Sequence, residues 1–163
     1  MIKNKTFTVL YFSNKNVFEE EENYVLDFIK TEELESKILF TNNFITGLKF
    51  IKSNFGLDLI VMGVRKDDLL LKCKESVINN DLIQTSDKGY PLFQRVYPCF
   101  LLNYINIWNI IKKSNYTYLD LYNQGFSSLG QKKNTIINKN LVIGNKILPA
   151  WCLEDISSER SFR

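Results

Sequence analysis

Residues 57–65 read LDLIVMGVR, a short run that is almost wholly apolar up to its glycine. A run of this length and composition is typical of a parallel strand that is buried on both faces. Two earlier runs, TFTVLYF at residues 6–12 and KILF at 37–40, also have the composition of strands. The three runs predict three parallel strands.

The segments between these runs have the periodicity of amphipathic helices. Apolar residues recur about one helical turn apart; they are Phe18, Val25, Phe28 and Ile29 in the first segment and Phe44, Leu48, Ile51 and Phe55 in the second. Four glutamates, residues 19–22, suit the first turn of the first helix, and Asn42 or Asn43 can cap the second. Alternating strands and helices predict an α/β fold, a three-layer sandwich with a mostly parallel sheet.

In such sheets, ligands bind beside the carboxyl ends of the strands. This rule places Phe12–Ser13 and Gly63–Arg65 at the edge of a candidate site. Between Arg65 and Gln94 no strong periodicity is present, so a long loop is predicted there.

The rest of the chain contains one strong helical pattern. A short extended piece is expected over residues 95–100, a helix is predicted around Tyr104–Ile111, and residues 115–150 are rich in turn signals. No repeat or linker interrupts the sequence, so we expect one domain over residues 1–163.

Composition narrows the function classes. The net charge of +3 does not by itself indicate a nucleic-acid or membrane partner, no apolar run approaches about 18 residues, and the N-terminus lacks a signal-peptide layout. We therefore expect a cytoplasmic chain. Histidine is absent, which excludes Ser-His-Asp and Cys-His catalysis and histidine-containing zinc sites. The three cysteines are far apart and are expected to be reduced.

A few polar and aromatic residues could support chemistry. The chain has 17 lysines but four arginines, so the arginines are candidates for two-pronged phosphate contacts, with ordinary ion pairs as the alternative. Asp67, Asp68 and Asp87 are candidates for Mg²⁺ ligands or organisers of a phosphate site, with solvated loop carboxylates as the alternative. Trp151 either stacks on a flat ring or belongs to the core. Neither GxGxxG nor GxxxxGK[ST] is present, which disfavours dinucleotide-binding dehydrogenases and P-loop NTPases.

Several segments match, in order, the motifs of one family. They are MGVRKDD (62–68) against MGxRrxD, SDKGYPLFQR (86–95) against TDxxWPxFxR, Pro98 and Trp108 on the next Pro and Trp, LYNQGFSSLG (121–130) with Asn134–Thr135 against LYxxGYTSLGxxxNT, and PAWCLED (149–155) with ERSFR (159–163) against PAYxLED and ERxxR. On these motifs the chain resembles the eukaryotic-type FAD synthases, which are FMN adenylyltransferases of the PAPS reductase-like family. All four arginines fall on motif positions.

The resemblance implies an adenine nucleotide alpha hydrolase-like fold and the reaction of ATP with FMN to give FAD and pyrophosphate, in which the FMN phosphate attacks the α-phosphorus of ATP. It implies a catalytic set comprising Asp68, Asp87, Arg160 and Arg163. It implies substrate-binding roles for Gly63, Arg65, Arg95, Asn123, Gly125, Ser128, Gly130 and Trp151. Mg²⁺ is the expected cofactor, without assigned ligands. ATP and FMN are the expected partners of a protein that is monomeric when complete and binds neither nucleic acid nor membrane.

The sequence departs from the family at its start. Family members open with a strand, an SGGKD-type pyrophosphate loop and a helix, and these 163 residues contain no such loop. We therefore expect an incomplete or reduced chain that is poorly stable and forms little FAD unless that segment is supplied. Two alternatives stay open: a non-catalytic flavin- or nucleotide-binding remnant, and, much less favoured without histidine, a sulfonucleotide reductase.

Overall fold

A computed structural model describes residues 7–70 and 81–163. Internal contacts divide the chain into two compact units. The terminal unit is the chain up to Asn42 together with Ile111–Arg163, and the central unit is Asn43–Ile110. Each is described by itself below, and the organisation as one domain stays a prediction.

The terminal unit opens with a parallel strand pair. Strand β1 (Val9–Ser13) is followed by helix α1 (Glu19–Thr31) and strand β2 (Ser36–Phe40). β1 and β2 pair in parallel from Val9 opposite Ser36 to Ser13 opposite Phe40, with α1 as the crossover. This confirms the parallel arrangement predicted for the first two strands. Because both strands run the same way, their carboxyl ends lie side by side at Ser13 and Phe40.

Helix α1 is less buried than its apolar pattern predicts. None of its residues is buried, and Phe28 is 44% exposed, so the predicted core face is wrong at that position. Phe18, the N-cap residue, is buried instead, with Leu119 and Leu121. Its ring meets the ring of Phe126 edge to face at 5.7 Å. The apolar core on this side therefore forms at the entry to the helix.

The central unit begins with helix α2 (Phe44–Phe55) and contains strand β3 (Leu59–Val61). The Asn43 side chain accepts a hydrogen bond from the backbone N–H of Thr46 (3.1 Å), which confirms one of the two predicted caps. Leu48 and Ile51 are buried as their spacing predicts, whereas Phe44 and Phe55 are largely exposed. Gly56 ends the helix with a left-handed φ of 62°.

Strand β3 is not buried on both faces, and that prediction is wrong. It is three residues long; Leu59 is 51% exposed and Val61 is 63% exposed. β3 pairs in parallel with strand β5 (Gln94–Val96), which contains the first two residues of the extended piece predicted over 95–100, whereas residues 98–100 form a turn. The apolar run therefore predicted a strand correctly but not its burial.

The predicted loop between Arg65 and Gln94 is partly wrong. Helix α3 (Lys66–Leu70) follows Arg65 directly, and strand β4 (Ile83–Thr85) pairs antiparallel with β5. Residues 71–80, including Cys73, lie outside the described residues. The parallel β3–β5 pair and the antiparallel β4 strand make a mixed three-stranded sheet with the order β3-β5-β4.

Helix α4 (Tyr104–Ser114) buries Tyr104 and Trp108, as its periodicity predicts. The chain after it is turn-rich, also as predicted, with five short 3-10 turns at Asp120–Gln124, Lys132–Asn134, Lys139–Leu141, Ala150–Cys152 and Ile156–Ser158 in this described stretch. A hairpin of two-residue strands, β6 (Val142–Ile143) and β7 (Lys146–Ile147), lies among them. In the terminal unit, most of the chain beyond α4 is therefore held by local turns.

Candidate functional site

Two ion pairs in the central unit join the predicted site residues to one another. Asp68, in the first turn of α3, accepts a hydrogen bond from the backbone N–H of Arg65 at 2.9 Å. The Arg65 guanidinium lies 3.6 Å from the other carboxylate oxygen, and the Arg65 side chain is 7% exposed. Asp68 therefore holds both the backbone and the charged group of Arg65. A cation this deeply buried must be paired to be tolerated.

The second pair is more open to solvent. Arg95, on β5, donates to the Thr85 carbonyl oxygen at 3.0 Å and lies 2.9 Å from an Asp87 carboxylate oxygen. The Asp87 side chain is 74% exposed, whereas that of Arg95 is 16% exposed. Burial raises the pKa of Tyr97, with Arg95 lowering it and Asp87 raising it. The Asp87 carboxylate is therefore accessible to solvent, while Arg95 is held in place by its bonds to Thr85 and Asp87.

Gly63 lies at the carboxyl end of β3, where the strand rule predicts it. The backbone N–H of the preceding residue, Met62, donates to the Val96 carbonyl oxygen at 2.9 Å. Gly63 is exposed, and a Cβ at this position would meet no atom within 4 Å. The open space fits a backbone edge that a ligand could approach.

In the terminal unit, the C-terminal segment lies against the Ser127–Gly130 turn. Arg163 donates from Nη1 to the Leu129 carbonyl oxygen at 2.8 Å. A Cβ on Gly130 would come within 3.1 Å of the Arg163 Cβ, so the glycine allows the two segments to approach closely. Ser128 is half-buried. The structure therefore brings Arg163, Gly130 and Ser128 together.

Arg160 lies in the same segment beside an acidic neighbour. Its Nε is 3.6 Å from a Glu159 carboxylate oxygen, and both side chains are mostly buried. The pKa of the nearby Tyr122 hydroxyl is raised by burial and, less strongly, by the charges of Glu21 and Glu159. The positive charges of Arg163 and Arg160 lower the same pKa. Both C-terminal arginines are therefore close enough to Tyr122 for their charges to affect its hydroxyl.

Asn123 and Gly125 follow each other closely in sequence but have different surroundings. The Asn123 amide donates to Asp120 at 2.7 Å, and its oxygen accepts from the Tyr118 hydroxyl at 3.3 Å. Hydrogen bonds from Asn123 and Gln124 lower the pKa of Asp120. Asn123 is therefore engaged within its own turn. Gly125 ends that turn with a φ of +87° and is buried.

Trp151 is half-buried and in contact with both an aromatic ring and a cation. The Tyr118 ring meets it edge to face at 5.6 Å, and the Lys112 ammonium lies 4.7 Å from its ring centre. Neither of the two sequence readings, a stacking platform or a core residue, describes these surroundings completely. A flat ring that stacked on the same face would have to displace the lysine.

A cavity of about 600 Å³ opens at the carboxyl ends of β1 and β2. It is lined by Ser13, Asn14, Lys15, Glu22, Phe40, Thr41 and Asn42. The Ser13 hydroxyl, almost fully buried, donates to Glu22 at 2.6 Å. The strand rule predicts this edge through Ser13. The other lining residues escaped prediction because they belong to no quoted motif.

Glu21, one residue before Glu22 in helix α1, is half-buried, and burial raises the pKa of its carboxyl above the ordinary value of 4.5. Burial, with the nearby Glu21 and Glu22 charges, also raises the pKa of Tyr11 to about 12. A folded-state carboxyl pKa above the unfolded value means that folding takes up protons between the two values. The contribution of Glu21 to stability therefore falls as the pH rises through that window.

The variant Glu21→Gln should consequently be more stable than the parent chain at pH 8, with a smaller difference at pH 4. Urea unfolding midpoints at the two pH values measure this difference. The exposed neighbour supplies the control, because Glu20→Gln removes a similar charge from the first turn without the burial penalty. A Glu21→Gln variant that lost stability at pH 8 as Glu20→Gln does would contradict the expectation.

A metal site made by the protein alone is not present in the part of the chain that the structure describes. Within residues 7–70 and 81–163, no group of three His, Cys, Asp or Glu residues could hold an ion. Asp68 and Asp87, the expected acidic positions, are each paired with an arginine. The same described ranges contain no helix that is long and apolar enough to cross a membrane.

Comparison with known proteins identifies the family. The phosphoadenosine phosphosulfate reductase domain matches residues 4–136 of the chain. The chain belongs to this domain family. The phosphoadenosine phosphosulfate reductase domain here is 31% identical over 116 residues to a probable FAD synthase of Schizosaccharomyces pombe, covering 71% of this chain and 42% of that protein. It thus spans less than half of that relative.

Solved structures confirm the fold of this phosphoadenosine phosphosulfate reductase domain. Candida glabrata FMN adenylyltransferase in complex with FMN and the ATP analogue AMPCPP superimposes with a TM-score of 0.83 at 20% identity, over 94% of this chain and 68% of that chain. Yeast FAD synthetase in complex with FAD gives 0.81 at 22% identity, over 94% and 66%. The mixed α/β fold predicted from sequence is therefore shown, as is the resemblance to FAD synthases.

Proposed function

We propose that this domain is an FMN adenylyltransferase that forms FAD and pyrophosphate from ATP and FMN. The observation that supports this most is the seating of the C-terminal ERSFR motif against the Ser127–Gly130 turn, with Arg163 hydrogen-bonded to Leu129. Two motifs that are 29 residues apart in sequence thereby come together. The S. pombe relative of this chain is named probable FAD synthase. We propose that the complete protein acts as a monomer in the cytoplasm.

The proposed reaction needs charge neutralisation more than proton transfer. An oxygen of the FMN phosphate forms a bond to the α-phosphorus of ATP, and the bond from that phosphorus to the bridging oxygen breaks, releasing pyrophosphate. Such transfers depend mainly on positioning and electrostatic stabilisation. Arginines can supply both through planar, charge-assisted hydrogen bonds, so the absence of histidine is compatible with this chemistry.

Mg²⁺ is proposed to enter with ATP. Magnesium usually keeps several waters and is bound through one or two carboxylates plus the substrate phosphates. Among the described residues no group of three acidic side chains is present, and of the two predicted carboxylates the exposed Asp87 is the more accessible to such an ion. The ion would neutralise phosphate charge when bound.

The alternative is a flavin- or nucleotide-binding domain without turnover. One observation bears on it: these 163 residues contain no SGGKD-type loop, so a protein made of these residues alone would lack the donors of that loop. Donors that hold a leaving pyrophosphate stabilise developing charge, and loss of such groups lowers rates by about a hundredfold or more. Binding surfaces on the remaining elements would be less affected.

The two functions are separated by incubating the purified chain with ATP, FMN and Mg²⁺. FAD and pyrophosphate are quantified by chromatography, and FAD binding is measured in parallel by titration calorimetry. Equal amounts of the two products support the transferase, whereas FAD binding without product supports the alternative. A chain that forms no FAD and binds neither FMN, FAD nor ATP contradicts both proposals.

The two acidic positions are expected to respond differently to amide replacement. Asp68→Asn removes the carboxylate charge that pairs with the buried Arg65 and should lower the free energy of unfolding by about 1–3 kcal/mol. Asp87→Asn affects an exposed carboxylate and should change it by less than about 1 kcal/mol. Both variants should lower the rate of FAD formation if the domain is a transferase, and should weaken FMN binding if the domain binds flavin without turnover. Normal activity at parental stability in Asp87→Asn would remove that residue from the site.

A further inference from the structure

The side chain of Asn138 is fully buried in the terminal unit and is saturated with hydrogen bonds. Its amide nitrogen donates to the Ser127 hydroxyl oxygen at 2.8 Å and to the Ser158 carbonyl oxygen at 3.1 Å. Its carbonyl oxygen accepts from the backbone N–H of Asn140 at 2.9 Å. One buried amide therefore joins three segments that are distant in sequence.

Ser127 extends this connection toward the C-terminus. Its hydroxyl donates to the Glu159 carbonyl oxygen at 2.7 Å, and Ser127 is 4% exposed. Asn138 and Ser127 together hold the carbonyl oxygens of Ser158 and Glu159. These are the two residues immediately before Arg160. The backbone that carries the first C-terminal arginine is thus fixed by two buried polar side chains.

A second set of contacts fixes the end of the segment. The backbone N–H of Ile136 donates to the Phe162 carbonyl oxygen at 2.9 Å, and the backbone N–H of Asn138 donates to the Gly125 carbonyl oxygen at 3.0 Å. The chain around Asn138 therefore contacts both the C-terminal segment and the glycine turn. Buried, fully satisfied polar networks of this kind allow only one geometry, because any shift leaves a donor or acceptor unpaired.

We propose that Asn138 is a positioning residue that places Arg160 and Arg163 for contact with the FMN phosphate. This rests on the proposed function of the domain. A planar guanidinium contacts phosphate through two parallel hydrogen bonds, so its affinity depends on the position of its backbone. Misplacement of a positioning group by about 1 Å can lower rates by about a hundredfold. Asn138 would act through the arginines and need not touch the substrate.

The test replaces Asn138 with its isosteric acid. Asn138→Asp keeps the size of the side chain but removes both amide donors at neutral pH, and it sets a carboxylate against the Ser158 carbonyl oxygen. Asn145→Asp is the matched control, because it makes the same amide-to-acid change at an exposed position that none of the contacts described above involves. Ser127→Ala is the milder second variant if Asn138→Asp folds poorly.

Two measurements are made on each variant of the chain. Hydrogen exchange of a peptide covering residues 156–163 reports whether the C-terminal segment has loosened. Calorimetric titrations give the Kd for FMN and for ATP separately. We expect Asn138→Asp to exchange faster in this peptide and to weaken FMN binding by about tenfold or more, with ATP binding changed less. Asn145→Asp should match the parent chain in both measurements.

A double-mutant cycle with Arg163→Lys separates positioning from general stability. If Asn138 acts through Arg163, the doubly substituted chain should lose much less FMN affinity than the product of the two single losses. Independent losses, or equal weakening of FMN and ATP binding, would overturn the proposal. A parent chain that binds no FMN would overturn the proposed function itself. If the parent chain binds FMN and Asn138→Asp binds it equally tightly, only the role of Asn138 is overturned.

Discussion

Replacement of both C-terminal arginines by lysine, in the variant R160K/R163K, is expected to cause the largest loss of FMN affinity or activity among the charge-conserving changes proposed for the complete enzyme. Lysine is a point charge and cannot form the paired, planar contact of a guanidinium with a phosphate. Hydrogen bonds to charged groups are worth about 1.5–3 kcal/mol, so each replacement should lower FMN affinity or turnover by about tenfold or more. Two independent contacts would lose about a hundredfold together.

The structure makes this test specific to the guanidinium. Arg163 donates from Nη1 to the Leu129 carbonyl oxygen, and a guanidinium carries five N–H donors in one fixed plane. A lysine ammonium could replace the bond to Leu129 but would present no second edge. Product formation and FMN titration measure the loss, and Lys133→Arg on the exposed surface serves as a control for altered lysine and arginine content. Parental kinetics in R160K/R163K would show that neither guanidinium contacts the substrates.

Gly125→Ala is expected to cause the largest loss of stability. Gly125 has a φ of +87°, and a left-handed conformation costs a residue with a side chain about 1–2 kcal/mol. The added Cβ would also lie 2.5 Å from the Ile147 methyl carbon and 3.0 Å from that of Ile137, an overlap that costs about 1–3 kcal/mol. The free energy of unfolding should therefore fall by about 2–5 kcal/mol, as measured by urea denaturation.

Gly144 provides the matched control for backbone strain alone. It too has a positive φ, of 57°, but a Cβ there would meet no atom within 4 Å. Gly144→Ala should therefore cost only the conformational part, about 1–2 kcal/mol. Equal losses in the two variants would show that the isoleucine contacts relax without cost, and that Gly125 is required for its conformation only.

Local signals in the sequence were sufficient for several elements of the fold. Strand β2, the Asn43 cap and the burial of Leu48, Ile51 and Trp108 follow from composition, periodicity and capping chemistry, all of which act within a few residues. Burial of β3 could not be predicted, because exposure of Leu59 and Val61 depends on which elements cover them. Strand β4 was missed because its three residues form no period, and their pairing with β5 is not local.

In the candidate site, too, the sequence predicted some features and the folded structure was needed for others. The motifs indicated the arginines and carboxylates, but not that Arg65 pairs with Asp68 or Arg95 with Asp87, since either carboxylate could have been solvated. Asn138 is one of eighteen asparagines, and nothing in its local sequence distinguishes it. Its importance arises from contacts with residues 11 and 20 positions away, which only the folded chain reveals.

The ammonium of Lys112 above Trp151 gives the protein an optical reporter at its candidate site. The chain has two tryptophans, and the other, Trp108, is 6% exposed in helix α4. The emission maximum of an indole depends on the charges and solvent around its ring. Displacement of the lysine by a flat ligand would therefore shift the emission maximum of Trp151. In a Trp108→Phe background, that signal would come from a single fluorophore. Ligand arrival at this ring could then be followed in real time, without a label.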